Sequence, residues 1–460
     1  MKSVRRTTPY YWQGVWIDEA EAERRLATLT GSLPPAARPL DPHVVIAACG
    51  RLGARLGDAS TPEYARLHGE LTDPLGSALP AEDATDQLAA VAAALDTGRL
   101  SAQLDAELPD TPRTGEHHVP GAGRARERWL PVGTLVHIAP SNVAVAGFLS
   151  TVEGLLAGNT NLVKTGGADG LFTQLALSLL GDADPTGRIR ERTVALRFSS
   201  RETGWLTRLC RPADAIAVWG TEEAVAGVTR HAPAGCRIID WGPKISVAYL
   251  DRTEPPVPDL LRRLARDTLH NAQRTCTSPQ ILYVDTADPE RVFAVADAMA
   301  RALDTVAPGI AVRTPSTAEQ AEITNVVTVA TLEQHLDLTR ITSAPDGRWH
   351  VLADIRPAPT ASPLYGTLWV KPLPRENIVS TLHPMRRYLQ TVGLGCAPGA
   401  AEELADAFFR AGALRITPIG EMLNTYPGEP HDGVLALQRY SRRVSLLTAP
   451  WPTGEGEQCG

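Results

Sequence analysis

A chain of 460 residues is longer than one hydrophobic core usually supports, so two or three packed units are expected. Its 43% hydrophobic and 21% charged residues are the composition of a globular protein, and a net charge of −7 gives no reason to place nucleic acid among its partners. No apolar stretch is long enough for a membrane span, and the six cysteines (Cys49, Cys210, Cys236, Cys276, Cys396, Cys459) lack the spacing of a metal site or a disulfide framework.

The N-terminus carries Arg5-Arg6 with no apolar run behind them, so no signal peptide is expected and the expected location is cytoplasmic. Helical spacing over 20–29, 44–56 and 86–95, interrupted by Pro34-Pro35, predicts a helical segment over 1–118 that packs on the domain after it. His117-His118 reads as part of an exposed polar turn rather than a metal pair, and no metal site is expected. From Trp129 the texture changes. A strand over 132–139 ends in Pro140-Ser141-Asn142, and a helix of small residues follows over 143–156. A strand over 161–164 ends in Thr165-Gly166-Gly167, then come a helix over 171–180 and a strand near 193–198. The strand 215–219 runs into Gly220-Thr221 and a short helix. This alternation predicts a parallel, doubly wound sheet over 119–252, with 245–250 closing it and ligands collecting at the carboxyl ends of its strands. No GxGxxG turn is present.

A proline-rich hinge at 253–258 opens a second α/β domain over 253–435. Helices are expected at 289–303, 317–323 and 400–411, and strands near 326–329, 368–371 and 389–392. The domain begins with a helix over 260–269 that runs into Asn271-Ala272-Gln273-Arg274-Thr275-Cys276-Thr277-Ser278-Pro279-Gln280. Polar neighbours argue against a buried, inert Cys276. A thiol on a helix-to-strand junction, with Arg274 and backbone N–H groups close in sequence, can be activated as a nucleophile. In the tail, 436–460, residues 439–447 alternate like an edge strand; such a tail commonly joins a neighbouring subunit, and a homo-oligomer is expected.

The ordered set Ala139-Pro140-Ser141-Asn142, 156–164, Trp219-Gly220-Thr221-Glu222-Glu223, Asp240-Trp241-Gly242-Pro243-Lys244 and Gln273-Arg274-Thr275-Cys276 resembles the aldehyde dehydrogenase superfamily. The form of the cysteine motif, with Trp-Gly-Pro-Lys before it, resembles the acyl-CoA reductase branch that includes the bacterial bioluminescence fatty acid reductase. The match covers 129–450. It implies an aldehyde-dehydrogenase-like α/β fold with two doubly wound domains, one for the cofactor and one for catalysis, flanked by the helical lead-in and the C-terminal edge strand. Cys276 matches the family's nucleophile. Asn142 matches the amide that holds the oxyanion together with the Cys276 N–H, and loss of one such donor typically costs ~3 kcal/mol. Its place after a strand also suits a helix N-cap. Lys164 matches the lysine on the adenosine ribose, with Ser141 beside it in the cofactor site. Gly220 and Thr221 match the turn where a pyrophosphate meets a helix N-terminus, although an ordinary strand-to-helix turn reads the same way.

The departures are informative. NAD-preferring relatives carry a glutamate where this chain has Gly167, so the resemblance implies room for a 2′-phosphate and a preference for NADPH. The family's glutamate clamp on the nicotinamide ribose has no counterpart in Pro363-Leu364-Tyr365-Gly366-Thr367, and that clamp must differ. Hydrolytic members place a glutamate at the Asp240 position; a reductase does not need that water-activating base, and Asp240 is read as a structural carboxylate. The implied reaction is NADPH-dependent reduction of an acyl thioester, carried by coenzyme A, a carrier protein or a partner acyl-transferring enzyme, to the aldehyde through a Cys276 acyl-enzyme. Hydrolytic aldehyde oxidation, acyl-phosphate reduction and an inactive partner-binding homologue are the alternatives. His270 and His383 are candidates for proton transfer, against an ordinary surface or core role.

Overall fold

The computed structural model describes residues 10–33, 40–74, 78–109, 117–118, 125–140, 143–166, 170–252 and 258–447. They divide into two units. The first takes the described parts of Met1–Ala78, Ala84–Trp241 and Tyr426–Gly460, and the second takes Leu79–Asp83 and Gly242–Thr425.

The first unit is built on a seven-stranded sheet in the order Val15–Ile17, Tyr10–Trp12, Thr193–Arg197, Thr160–Thr165, Thr134–Ile138, Ala215–Trp219, Arg237–Trp241. The last five strands are parallel. Alternation along each strand sends side chains to opposite faces. Val136, Leu162, Val194 and Ile216 pack on one side with Leu206 and Leu209, while Leu135, Ala215, Ala217 and Ile239 pack on the other with Tyr440. The helix Pro42–Leu56 from the N-terminal segment, capped by Asp41, belongs to this unit. The tail strand Ser441–Leu447 pairs antiparallel with Ala125–Pro131, and His117–His118 forms the third strand of that small sheet.

The second unit repeats the plan in the order Thr339–Ser343, His350–Asp354, Thr367–Pro372, Pro279–Val284, Ile245–Leu250, Leu389–Gly395, Arg415–Pro418. All its strands but the first are parallel. Ala248, Leu282, Val351 and Val370 face the helices Pro258–Leu269 and Pro289–Val306. Val247, Tyr249, Tyr283 and Val392 face Phe408 and Leu404.

Three expectations from the pattern are corrected. The segment 1–118 is not all helical: the aromatic and β-branched runs Tyr10–Trp12 and Val15–Ile17 are strands of the first sheet, and His117–His118 is a strand of the small one. Ile245–Leu250 does not close the first sheet; it lies inside the second, between Pro279–Val284 and Leu389–Gly395, and Arg237–Trp241 is the first sheet's edge strand. An apolar strand carries no label for which sheet it enters, because either would bury both its faces. The run Val326-Val327-Thr328-Val329 is helical, part of Thr317–Gln334. Ser316 and Glu319 start that helix with a reciprocal capping box, and Ile323 and Ala330, two turns apart, give it a buried stripe that outweighs the strand preference of the valines.

Candidate functional site

In the second unit, the helix Pro258–Leu269 ends in a turn over His270–Gln273, and the strand Pro279–Val284 begins six residues later. Asn271, Ala272 and Gln273 are all left-handed (φ 48°, 53° and 63°). Such a run costs roughly 1–2 kcal/mol per non-glycine residue, so something must hold it. Gln273, buried, donates from Nε2 to the carbonyls of Pro279 (2.7 Å) and Thr367 (3.1 Å). The Ala272 carbonyl accepts from the Tyr365 N–H at 3.0 Å. Leu364, Tyr365 and Gly366 form a second left-handed run (φ 67°, 53° and 74°). Gly366 is required there twice over, since a Cβ would also lie 2.7 Å from the Arg348 carbonyl.

Cys276 stands exposed on the stretch between this turn and its strand. Its carbonyl accepts a 2.7 Å hydrogen bond from Ser246 Oγ, which in turn accepts from the Thr391 N–H at 3.2 Å. Ser246 is fully buried and sits at a bulge, where the register against Pro279–Val284 shifts between Ser246 and Val247. The peptide carrying the thiol is thereby tied to two strands of the sheet. Arg274, its side chain only 10% exposed, donates to the Tyr365 hydroxyl at 3.2 Å and lies 3.8 Å from Glu319. Burial raises the Tyr365 pKa. Burial works against ionisation of Glu319, but hydrogen bonds from Ser316 outweigh it and hold the carboxyl below its usual range. Arg313 completes the group, its pKa lowered by burial and then by the neighbouring Arg274 charge. His270 and His383 are both exposed, and His383 Nδ1 lies 3.3 Å from the Arg410 carbonyl.

In the first unit, Lys164 is near the carboxyl end of Thr160–Thr165 and is 4% exposed. Its Nζ donates to Ser200 Oγ at 2.8 Å and lies 5.8 Å from the Phe198 ring centroid. Ser200 follows the neighbouring strand Thr193–Arg197 and was not singled out from the sequence; a serine in a loop gives no signal until the sheet order is known. A buried ammonium at the carboxyl end of a parallel strand suits a ribose hydroxyl or a phosphate. Gly220 leaves the strand Ala215–Trp219, and Thr221 caps the helix Glu222–Thr229 by accepting from the Ala224 N–H at 3.3 Å. Lys164, Gly220 and Thr221 thus share the carboxyl edge of one parallel sheet, two strands apart. Asp240 is exposed on the next strand, and its carbonyl accepts from Arg439 at 3.3 Å. Ser141, Asn142 and Gly167 lie outside the described residues.

Comparison with known proteins gives the fold and the family. Solved structures share the fold at low identity: PnpE from Pseudomonas sp. WBC-3 (TM-score 0.71, 16% identity, 98% of this chain and 100% of that one) and an NAD-dependent benzaldehyde dehydrogenase from Corynebacterium glutamicum (TM-score 0.69, 13% identity, 96% and 97%). The fold is therefore that of the aldehyde dehydrogenases. Among sequences, a long-chain acyl-protein thioester reductase from Vibrio harveyi is 24% identical over 329 residues, 70% of this chain and 66% of that protein. Another from Photorhabdus luminescens is 30% identical over 161 residues, 34% of this chain and 32% of that protein. The alignments thus span just under two thirds of the first relative's length and about a third of the second's. The family described as acyl-CoA reductase (LuxC) matches residues 60–443. With most of its length matched, the chain belongs to the acyl-CoA reductase (LuxC) family.

Proposed function

We propose that the chain reduces the acyl group of a thioester to the aldehyde with NADPH, by way of an acyl-enzyme on Cys276. The observation that carries this is the exposed Cys276 on a peptide anchored by Ser246, three residues after a strained left-handed turn. Strain of this kind persists where the surroundings over-determine it, and it collects at reactive sites.

The Cys276 sulfur attacks the thioester carbonyl, the donor's thiol departs, and the acyl group is held covalently where water cannot carry it off by diffusion. A thiolate is a good leaving group near neutral pH, so release of the product requires no strong general acid. The Ser246 bond to the Cys276 carbonyl fixes the plane of that peptide, and the resemblance assigns the oxyanion to the Cys276 N–H and the Asn142 amide. Lys164, with Ser200, is the group that would hold the adenosine end of the nucleotide, and Gly167 removes the carboxylate that would repel a 2′-phosphate. Bound NADPH supplies the hydride that reduces the acyl carbonyl. The names of the relatives favour long acyl chains on a protein donor, and coenzyme A thioesters present the same bond.

NADPH consumption with acyl-CoA thioesters of graded chain length, comparing the parent with Cys276→Ala, tests the reading. Aldehyde formation should fall at least about 1,000-fold in the variant, the scale of losing a covalent nucleophile, while NADPH still binds. Turnover at the parental rate without the sulfur would refute it.

A further inference from the structure

The second unit contains a cleft of about 340 Å³ whose chemistry the acyl-enzyme does not use. Leu269, Ile310 and Ile323 give it apolar walls, Ala272 and Tyr365 bring the two strained turns to it, and Arg313 and Arg348 supply charge. The ion pairs around it do not balance. Arg348 is matched by Asp346 at 2.6 Å, and Arg274 is within 3.8 Å of Glu319. Among the described residues, no carboxylate lies within ion-pair distance of Arg313: its hydrogen-bond partner is the Tyr365 phenol, the like charge of Arg274 opposes it, and Glu319, which is paired with Arg274, acts on it only from farther away. A half-buried guanidinium hydrogen-bonded to a neutral phenol, on the wall of a cleft whose other charged pair, Arg348 and Asp346, is already matched, is an incomplete ion pair. Its planar fork of donors suits the oxygens of a phosphate.

We propose that this cleft is a phosphate site, in which Arg313 binds the phosphate ester of a ligand whose uncharged arm lies against Leu269, Ile310 and Ile323. The ligand's identity rests on the acyl-reductase reading, which offers two sources of the same chemistry. One is the phosphopantetheine end of the thioester donor, and the other is the phosphates of the nicotinamide nucleotide. The apolar walls suit the pantetheine arm.

Binding titrations of the full chain separate the sources without requiring turnover. Coenzyme A, pantetheine (the same arm without phosphate) and NADPH are titrated into the parent, Arg313→Gln and Arg313→Lys. Loss of a charge-assisted hydrogen bond should raise the Kd for coenzyme A about tenfold or more in Arg313→Gln, with a smaller rise in Arg313→Lys and no change for pantetheine. A rise for NADPH in place of coenzyme A assigns the site to the nucleotide and keeps it a phosphate site. Unchanged Kd values for both phosphorylated ligands in both variants overturn the proposal; if Arg313→Gln fails to fold, Arg313→Lys alone decides. Cys276→Ala should bind coenzyme A as the parent does, so failure of the acyl-enzyme reading is distinguishable from failure of this one.

Discussion

The two units use the same parallel architecture at opposite edges. In the first, Lys164, Gly220 and Thr221 gather at the carboxyl ends of the strands, where the topology of doubly wound sheets leaves a crevice for ligands. In the second, internal ion pairs close the carboxyl ends of Ile245–Leu250, Pro279–Val284 and His350–Asp354, while those of Leu389–Gly395 and Arg415–Pro418 border a cleft of about 270 Å³. Asp251 and Asp285, which follow Leu250 and Val284, are both buried and share Arg375; Asp354 at the end of the next strand but one is bonded to the buried Lys371 at 2.8 Å. The groups with chemical potential stand at the amino ends instead: Cys276 before Pro279–Val284, Tyr365 before Thr367–Pro372, and Ser246 near the start of Ile245–Leu250.

If that contrast is sound, the closed edge should bear on stability and the open edges on function. The largest effect is expected at Arg375, whose replacement by methionine takes from the buried Asp251 and Asp285 the guanidinium they share. Removing one partner of such a group costs about 3–5 kcal/mol, to be read from urea unfolding; a loss under about 1 kcal/mol would show that the closed edge is not held this way. At the first unit's open edge, Lys164→Met should weaken NADPH by roughly tenfold to a hundredfold, the loss of charge-assisted bonds, while the rate of Cys276 acylation stays at the parental level. Equal affinity for NADPH would remove Lys164 from the cofactor site.

Ser246→Ala provides the mirror image. It leaves the Cys276 carbonyl and the Thr391 N–H without their shared partner, a change of about 1–2 kcal/mol, so acylation should slow roughly tenfold with the Kd for NADPH unmoved. Should both variants move both quantities, the division of labour between the edges fails. The smallest effect concerns pH. Burial raises the Asp267 pKa to about 6 from 3.8, even though the carboxylate accepts the Gly420 N–H at 2.8 Å. The folded form binds this proton more tightly than the unfolded chain, so its contribution to stability is fully present below about pH 4 and is lost as pH rises through 6. Against Asp267→Asn, which cannot ionise, the parent should lose on the order of 1 kcal/mol between pH 4 and pH 7. A constant difference between the two across that range would refute the assignment.

Much of this was readable in the chain itself, because local chemistry wrote it. Strand alternation, the helix-to-strand junction around Cys276, the lysine ending a buried strand and the Thr221 cap all depend on residues a few positions apart, and the ordered motifs carried the family and with it the fold. The three-dimensional structure decided which sheet each strand joined, since Ile245–Leu250 is apolar enough for either, and it made a helix of the valines at 326–329 through a distant cap and a buried stripe. It also brought Ser246 to the Cys276 carbonyl, and Arg313, Glu319 and Tyr365 to Arg274 in the stretch before it. Those partners come from 30 to 91 residues away in sequence, and contacts at that range are set by sheet order and side-chain packing, which no local pattern records.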